Sequence, residues 1–306
     1  MLNRRILRIK AFKALYSYAE NPAMTLKEAE AMLEHSCEAT RDLYLFLLSV
    51  IGPLTAEASS RIEAARSKFN PTEEERNPNL KFVENRISPL FAADPDFNKL
   101  ISKKKLSWDQ YDVLLRRLYE SIREREYYRK YMESSESSLE EDASLWIHVF
   151  EKEFEDNADL WEILEDLNIL WTDDLPYALI WCCRTLGDIK NGKHWDLPAL
   201  YNSELPGNEA LESDRAFVVN LLRKAFLKYD EYCGAVASNT PKWDKNRICV
   251  TDLCLIACGL AEAEAFPATS HKVIINEYVE ISKYYSTPES RAFVNGLLDK
   301  LINKNA

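Results

Sequence analysis

The run His271-Lys272-Val273-Ile274-Ile275-Asn276-Glu277-Tyr278-Val279-Glu280 decides the fold, together with Thr287-Pro288-Glu289-Ser290-Arg291-Ala292-Phe293-Val294-Asn295-Gly296-Leu297-Leu298-Asp299-Lys300 beyond it. Apolar residues recur in both halves at three- and four-residue spacing, the period of an amphipathic helix. The first half predicts a helix over 271–285. Thr287 can cap the second, with Pro288 at its first position, or Ser286 and Glu289 can form a capping box. Phe293, Val294, Leu297, Leu298 and Leu301 read as core packing. Gly296 inside this helix costs about 1 kcal/mol relative to alanine, which predicts a close helix approach there.

The opposite end of the chain is also helical and basic. In Asn3-Arg4-Arg5-Ile6-Leu7-Arg8-Ile9-Lys10-Ala11-Phe12-Lys13-Ala14-Leu15-Tyr16, the apolar stripe Ile6, Ile9, Phe12 and Tyr16 predicts a helix over 4–20, ended by Asn21-Pro22. Residues 1–19 hold Arg4, Arg5, Arg8, Lys10 and Lys13 and no acid. Lysine and arginine supply affinity for RNA phosphates. A solvated charged face accounts for these residues at least as well.

Composition narrows the rest. The 306 residues contain only 7 Gly, and long alternating β-branched runs are rare, so the chain reads as all-α. With 50 acidic against 39 basic side chains, the net charge is −11. A surface of that sign repels nucleic acid and anionic membrane as a whole, so any RNA site must be a local basic patch. The odd count of 7 Cys, mostly in apolar helical context, points to reduced thiols in the cytoplasm. The longest strongly apolar run, Leu43 to Ile51, is too short to span a bilayer. The charged N-terminus lacks the apolar block of a signal peptide, and its serine is sparse for a transit peptide.

Between the ends, the pattern predicts helices over 25–37 and 42–68, with Pro53 kinking or splitting the latter. A loop over 69–92 precedes a long helix over 107–132. A polar hinge or mobile linker occupies 133–142. Trp-containing helices follow over 143–154, 157–170 and 174–189. Residues 190–213, with Gly192, Pro198, Pro206 and Gly207, read as irregular, and helices resume over 213–235 and 244–265. The basic, Tyr-rich segment 116–131 interleaves glutamates and reads as a salt-bridged surface helix rather than a second nucleic-acid face.

Catalytic patterns are weak. His35, His148, His194 and His271 lie in separate segments, and Cys254 with Cys258 lacks companions at zinc-site spacing. No P-loop, dinucleotide-binding turn or nucleophile elbow is present. The chain reads as a non-enzyme with no cofactor and no metal.

The paired segments Ile275-Asn276-Glu277 and Phe293-Val294-Asn295-Gly296, with Leu298-Asp299-Lys300 behind them and Arg-Arg-x-x-Arg at the other end, resemble the NusB family of transcription antitermination factors. The resemblance covers residues 3–20 and about 213–303. It implies a NusB-like helical bundle built from N-terminal helices (1–37) and the C-terminal third (213–306), with an inserted helical region (38–212) of unknown role. It implies binding of boxA-type ribosomal-RNA leader RNA together with NusE, a small-subunit ribosomal protein, and recruitment to the elongating RNA polymerase. Carried over by residue, it implies RNA contacts at Arg4, Arg5, Arg8 and Lys10 on the first helix and at Glu289 and Phe293 on the last. Tyr16 and Asp252 fall on the partner-facing side. The chain departs from the family at Ile6, where many relatives carry another arginine, and at Ala257 and Ala261. Two alternatives remain open: a helical scaffold that has lost RNA binding, and the RNA-binding part of an RNA-modifying system.

Overall fold

The computed structural model describes residues 1–201, 213–240 and 248–304; their regular structure is helical, and the one extended pairing among them is an isolated parallel bridge between Leu2 and Tyr201. In chain order the helices are α1 (Arg4–Glu20), α2 (Leu26–Leu48), α3 (Ile51–Arg66), α4 (Glu73–Arg76), α5 (Ile87–Ala93), α6 (Pro95–Lys104), α7 (Asp112–Glu124) and α8 (Glu126–Glu133). They continue with α9 (Leu139–Glu153), α10 (Ala158–Leu167), α11 (Leu175–Lys190), α12 (Asp214–Leu227), α13 (Tyr229–Asn239), α14 (Val250–Ala265), α15 (His271–Tyr285) and α16 (Ser290–Lys304). The chain divides into two compact units, Met1–Glu38 with Ala199–Ala306, and Ala39–Pro198.

The first unit is built around α14. Cys254, Leu255, Ile256, Ala257, Cys258 and Ala261 are buried, and α12, α13, α15 and α16 all pack on this helix. Small side chains make that possible. A Cβ added at Gly259 would lie 2.7 Å from Leu298 Cδ2 and 3.3 Å from Tyr278 Cδ2. The close approach expected at Gly296 is therefore found at Gly259 instead. Gly296 is exposed, and an added Cβ would meet nothing within 4 Å. The helix α1 lies against α12 and α14, with Ile6, Leu7, Phe12 and Leu15 buried. Ile6 is buried in the core, which explains an apolar residue at a position where the family resemblance implies arginine. Thr287 Oγ1 accepts the Ser290 backbone N–H at 3.3 Å, the bond expected of a cap, but α16 starts at Ser290, two residues beyond Pro288.

The second unit packs α9 against α11, and α3 against α5 and α7. Trp146, Phe82, Phe150 and Phe154 are fully buried in it. The expected loop 69–92 is ordered by Asn85. Its Nδ2 donates to Phe82 O at 2.7 Å, while its Oδ1 accepts from the N–H groups of Ile87 and Ser88 and from Trp146 Nε1. The segment 134–138 is held as well, rather than free as a linker. Lys81 Nζ donates to Ser134 O at 3.0 Å, and Arg86 Nη2 donates to the Ser137 hydroxyl at 2.9 Å.

Several boundaries differ from the sequence expectation, each for a local reason. The helix α2 runs unbroken through 38–48 and stops at Ser49, whose hydroxyl donates to Phe46 O at 2.7 Å. Pro53 sits in the first turn of α3, where its missing N–H costs nothing. The helix expected over 107–132 breaks at Arg125, which turns extended and donates to Glu153 at 2.7 Å. Its tyrosines Tyr119, Tyr128 and Tyr131 face the core around Phe82. The helix expected over 213–235 is interrupted at Lys228. Pro206, Gly207 and the expected helix start at 244 lie outside the described residues. Among the described residues, the helical run Leu26–Arg66 is long and apolar enough by composition to cross a membrane, yet 61% of that window is buried inside the protein. It reads as a core helix.

Candidate nucleic-acid interface

The first turn of α1 carries two arginines at the positive end of a helix dipole, an arrangement that favours nearby anions. Asn3 caps the helix by accepting the Ile6 N–H at 3.0 Å, and each arginine meets an acid from another helix. Arg4 Nε donates to Asp214 Oδ1 at 3.3 Å, and its guanidinium lies 4.4 Å from the centre of the Phe217 ring. Arg5 Nε and Nη2 donate to the two oxygens of Glu277 at 3.0 and 2.7 Å.

Arg8 is different. Its side chain is 7% exposed, and its Nε and Nη2 donate to Glu262 at 2.8 and 2.6 Å. Its Nη1 reaches Glu277 at 3.4 Å, and the Tyr278 hydroxyl donates to Glu262 at 2.9 Å. Burial opposes the Arg8 charge, but the Glu262 hydrogen bonds and charge outweigh it, and the guanidinium is held above its ordinary value. Burial, then the Glu262 charge, pushes the Tyr278 phenol up. The Arg5 hydrogen bonds outweigh partial burial and hold Glu277 below the usual carboxylate range, with help from the charges of Arg5 and Arg8.

The remaining sequence-predicted residues are placed as follows. Lys10 is buried, so its charge is not presented on the surface. Tyr16 is 38% exposed, next to Phe12, whose ring centre is 6.4 Å away. Asp252 is buried and accepts from the hydroxyls of Ser286 and Ser290 at 2.5 and 2.7 Å, bracing the turn from α15 into α16. Glu289 is exposed before α16 and Phe293 is half-buried on it. Arg4, Arg5 and Arg8 thus share one cluster with Asp214, Phe217, Glu262 and Glu277. Of these partners, sequence reasoning assigned a role to none. Glu262 carried a usable signal, since an acid beside the apolar run 253–261 is seldom buried without a cation.

Nothing in this cluster resembles a catalytic constellation. Among the described residues, no group of three or more His, Cys, Asp or Glu side chains could hold a metal ion. Burial pushes the Cys254 thiol up to about 12 and Cys258 well above its usual value, so both stay protonated.

The NusB family model matches residues 190–303. The transcription antitermination protein NusB of Acetivibrio thermocellus is 30% identical over 101 residues, 33% of this chain and 70% of that relative. The chain belongs to the NusB family.

The NusB of Bacillus mycoides is 30% identical over 103 residues, 34% of this chain and 76% of the relative. That of Koribacter versatilis is 32% identical over 90 residues, 29% of this chain and 62% of the relative. The chain therefore spans less than two thirds of that last protein. No solved structure matches it. The family match begins after α1, and folding joins α1 to it through α12 and α14. Most of the second unit, up to residue 189, lies outside the match.

Proposed function

We propose that this protein is a cytoplasmic transcription antitermination factor. It binds boxA-type ribosomal-RNA leader RNA together with NusE and acts by recruitment to the elongating RNA polymerase, with no chemistry of its own. The observation that carries this reading is the arginine pair on α1, packed onto the helices that match the NusB family. The side chains of Arg4 and Arg5 are 36% and 47% exposed, at a helix end that favours anions. Guanidinium planes can also stack on unpaired bases. Arg8, bound on both sides by carboxylates, holds α1 in register and keeps Glu277 beside Arg5. Glu289 and Phe293 extend the RNA surface onto α16, and Tyr16 faces the protein partner. Asp252 serves that face indirectly, by fixing the start of α16.

Fluorescence anisotropy with a boxA-type oligonucleotide, with and without NusE, tests the reading. Arg4→Ala with Arg5→Ala is expected to weaken binding and to flatten the slope of log affinity against log salt by about 0.7 for each phosphate no longer neutralised. Unchanged affinity and slope would overturn the RNA assignment.

One observation favours a second reading, a scaffold without RNA binding. Every arginine of α1 already has a carboxylate partner. In that case neither the wild-type chain nor its complex with NusE binds the oligonucleotide.

A further inference from the structure

In the second unit, α7 and α10 run antiparallel beside each other. Tyr111, just before α7, and Leu167, at the end of α10, line one cavity of about 300 Å³ together with Leu106 and Asp109. Farther along α7, Arg117 Nη1 donates to Asp159 Oδ2, near the start of α10, at 2.6 Å. By four-residue spacing, Val113 shares a helix face with Arg117, and Ile163 shares one with Asp159 and Leu167. The strip between the cavity and the ion pair is therefore apolar.

This strip is left open. Val113, Leu167 and Ile169 are 57%, 42% and 64% exposed. Leu106, Tyr111 and Ile163 are half-buried. Apolar side chains exposed together and rimmed by charge mark an interaction surface. The rim here has essentially one sign. Between Lys152 and Arg184 the chain has nine acidic side chains and no basic one. Glu162 and Asp166, four residues apart, flank Ile163 and Leu167 on α10. Both are exposed without an ion pair among the described residues, as is Asp109 on the cavity wall. Lys105 is the one basic side chain on that wall. Arg116 and Arg117 are already paired with Asp112 and Asp159.

We propose that this strip docks a basic amphipathic helix of a protein partner. The apolar face of that helix lies along Val113, Ile163 and Ile169, and one of its apolar side chains enters the cavity between Tyr111 and Leu167. Its lysines or arginines meet Asp109, Glu162 and Asp166. Charge selects this occupant, because RNA or an anionic membrane would bring the same sign as the rim. A second copy of the chain offers no match in α1, since the apolar face of that basic helix is buried. From Asp159 to Leu167 α10 rises about 12 Å, which suits about two to three turns of a helix laid in the groove. The site shares no residue with α1 and does not rest on the RNA reading.

Fluorescence anisotropy of the full chain with a labelled peptide of leucine and lysine, apolar along one helical face, tests the proposal. It is expected to bind about tenfold more tightly than a peptide of the same composition in scrambled order. Leu167→Ser with Ile169→Ser should weaken binding by about the same factor and leave the thermal midpoint nearly unchanged, because both side chains are exposed. Asp109→Asn with Glu162→Gln and Asp166→Asn should weaken it and flatten its salt dependence. Removing equal charge elsewhere in the second unit, Glu74→Gln with Glu84→Gln and Glu133→Gln, should leave both nearly unchanged. Arg4→Ala with Arg5→Ala should also leave peptide binding unaltered, so failure here is distinct from failure at α1. The proposal is overturned if the scrambled peptide binds as well, or if the two sets of charge removals act alike, since general attraction to an acidic chain would then account for the binding. It is overturned too if Leu167→Ser with Ile169→Ser keeps peptide affinity and instead abolishes oligonucleotide binding or self-association in sedimentation equilibrium.

Discussion

Glu277 on α15 holds the Arg5 guanidinium of α1 through two parallel hydrogen bonds of 3.0 and 2.7 Å, in the fork geometry that a phosphate would also use. The carboxylate therefore occupies one side of the most exposed arginine fork in this cluster. An incoming RNA phosphate has to displace it or share it. Exposed pairs of this kind contribute little, so the exchange is feasible.

Glu277→Gln removes the competing charge and leaves a side chain of the same shape. The variant is expected to bind a boxA-type oligonucleotide about two- to fivefold more tightly, the equilibrium equivalent of a surface ion pair. The salt slope should steepen, because Arg5 no longer has the Glu277 charge beside it and can neutralise one more phosphate. Anisotropy titrations at three salt concentrations measure both. Weaker binding by the variant would show that Glu277 positions Arg5 for RNA rather than competing for it.

The same carboxylate gives a pH signature. Glu277 titrates near 4.5 in the unfolded chain and lower when folded. Its contribution to stability is fully present above the unfolded value and is lost as pH falls through the folded one. Urea unfolding midpoints of wild type and Glu277→Gln should therefore differ most at neutral pH and converge progressively as pH falls below the unfolded value. A difference that persists unchanged down to about pH 3 would assign the effect to packing.

Arg8 makes the opposite prediction from Arg5. Its bond to Glu262 is buried, and removing one partner leaves an uncompensated charge in the core. Arg8→Ala should cost about 3–5 kcal/mol of stability in urea unfolding. Replacing the whole buried group, Arg8→Met with Glu262→Leu and Tyr278→Phe, should recover much of that loss, since an apolar set of similar size needs no solvation and leaves no buried hydroxyl without its acceptor. Should Arg8→Ala unfold like the wild type while losing RNA affinity, the residue would be a direct RNA contact.

The contrast between Arg5 and Arg8 also shows what is legible in the sequence. The helical periods place α1, α15 and the cap at Thr287 within a residue or two, because local spacing and capping chemistry decide them. Arg4, Arg5 and Arg8 read alike as a basic strip. Their different roles depend on which acids the fold brings to α1 from residues more than 200 positions away, and no local pattern encodes that. The breaks at Arg125 and Lys228 leave no local mark for a related reason. Neither residue disfavours a helix, and the turn at Arg125 is stabilised by its bond to the distant Glu153. Asn85, central to the second unit, reads in the sequence as one of many polar residues in a loop.

Two glycines test the packing account without touching RNA. Gly259 lies where a Cβ would be 2.7 Å from one Leu298 methyl and 3.2 Å from the other. Gly259→Ala must push Leu298 aside, and overpacking of a filled core costs about 1–3 kcal/mol. The gain in helix propensity, about 1 kcal/mol, offsets only part of this. Gly296 has open space around it, so Gly296→Ala gains the propensity alone and should stabilise the chain by up to about 1 kcal/mol. Thermal unfolding of the two variants should move in opposite directions. Shortening the obstructing side chain, Leu298→Val, should reduce the penalty of Gly259→Ala in the double variant, because the two atoms that collide belong to these residues. If the two alanine variants shift the midpoint equally, close approach at α14 is not what keeps Gly259 a glycine.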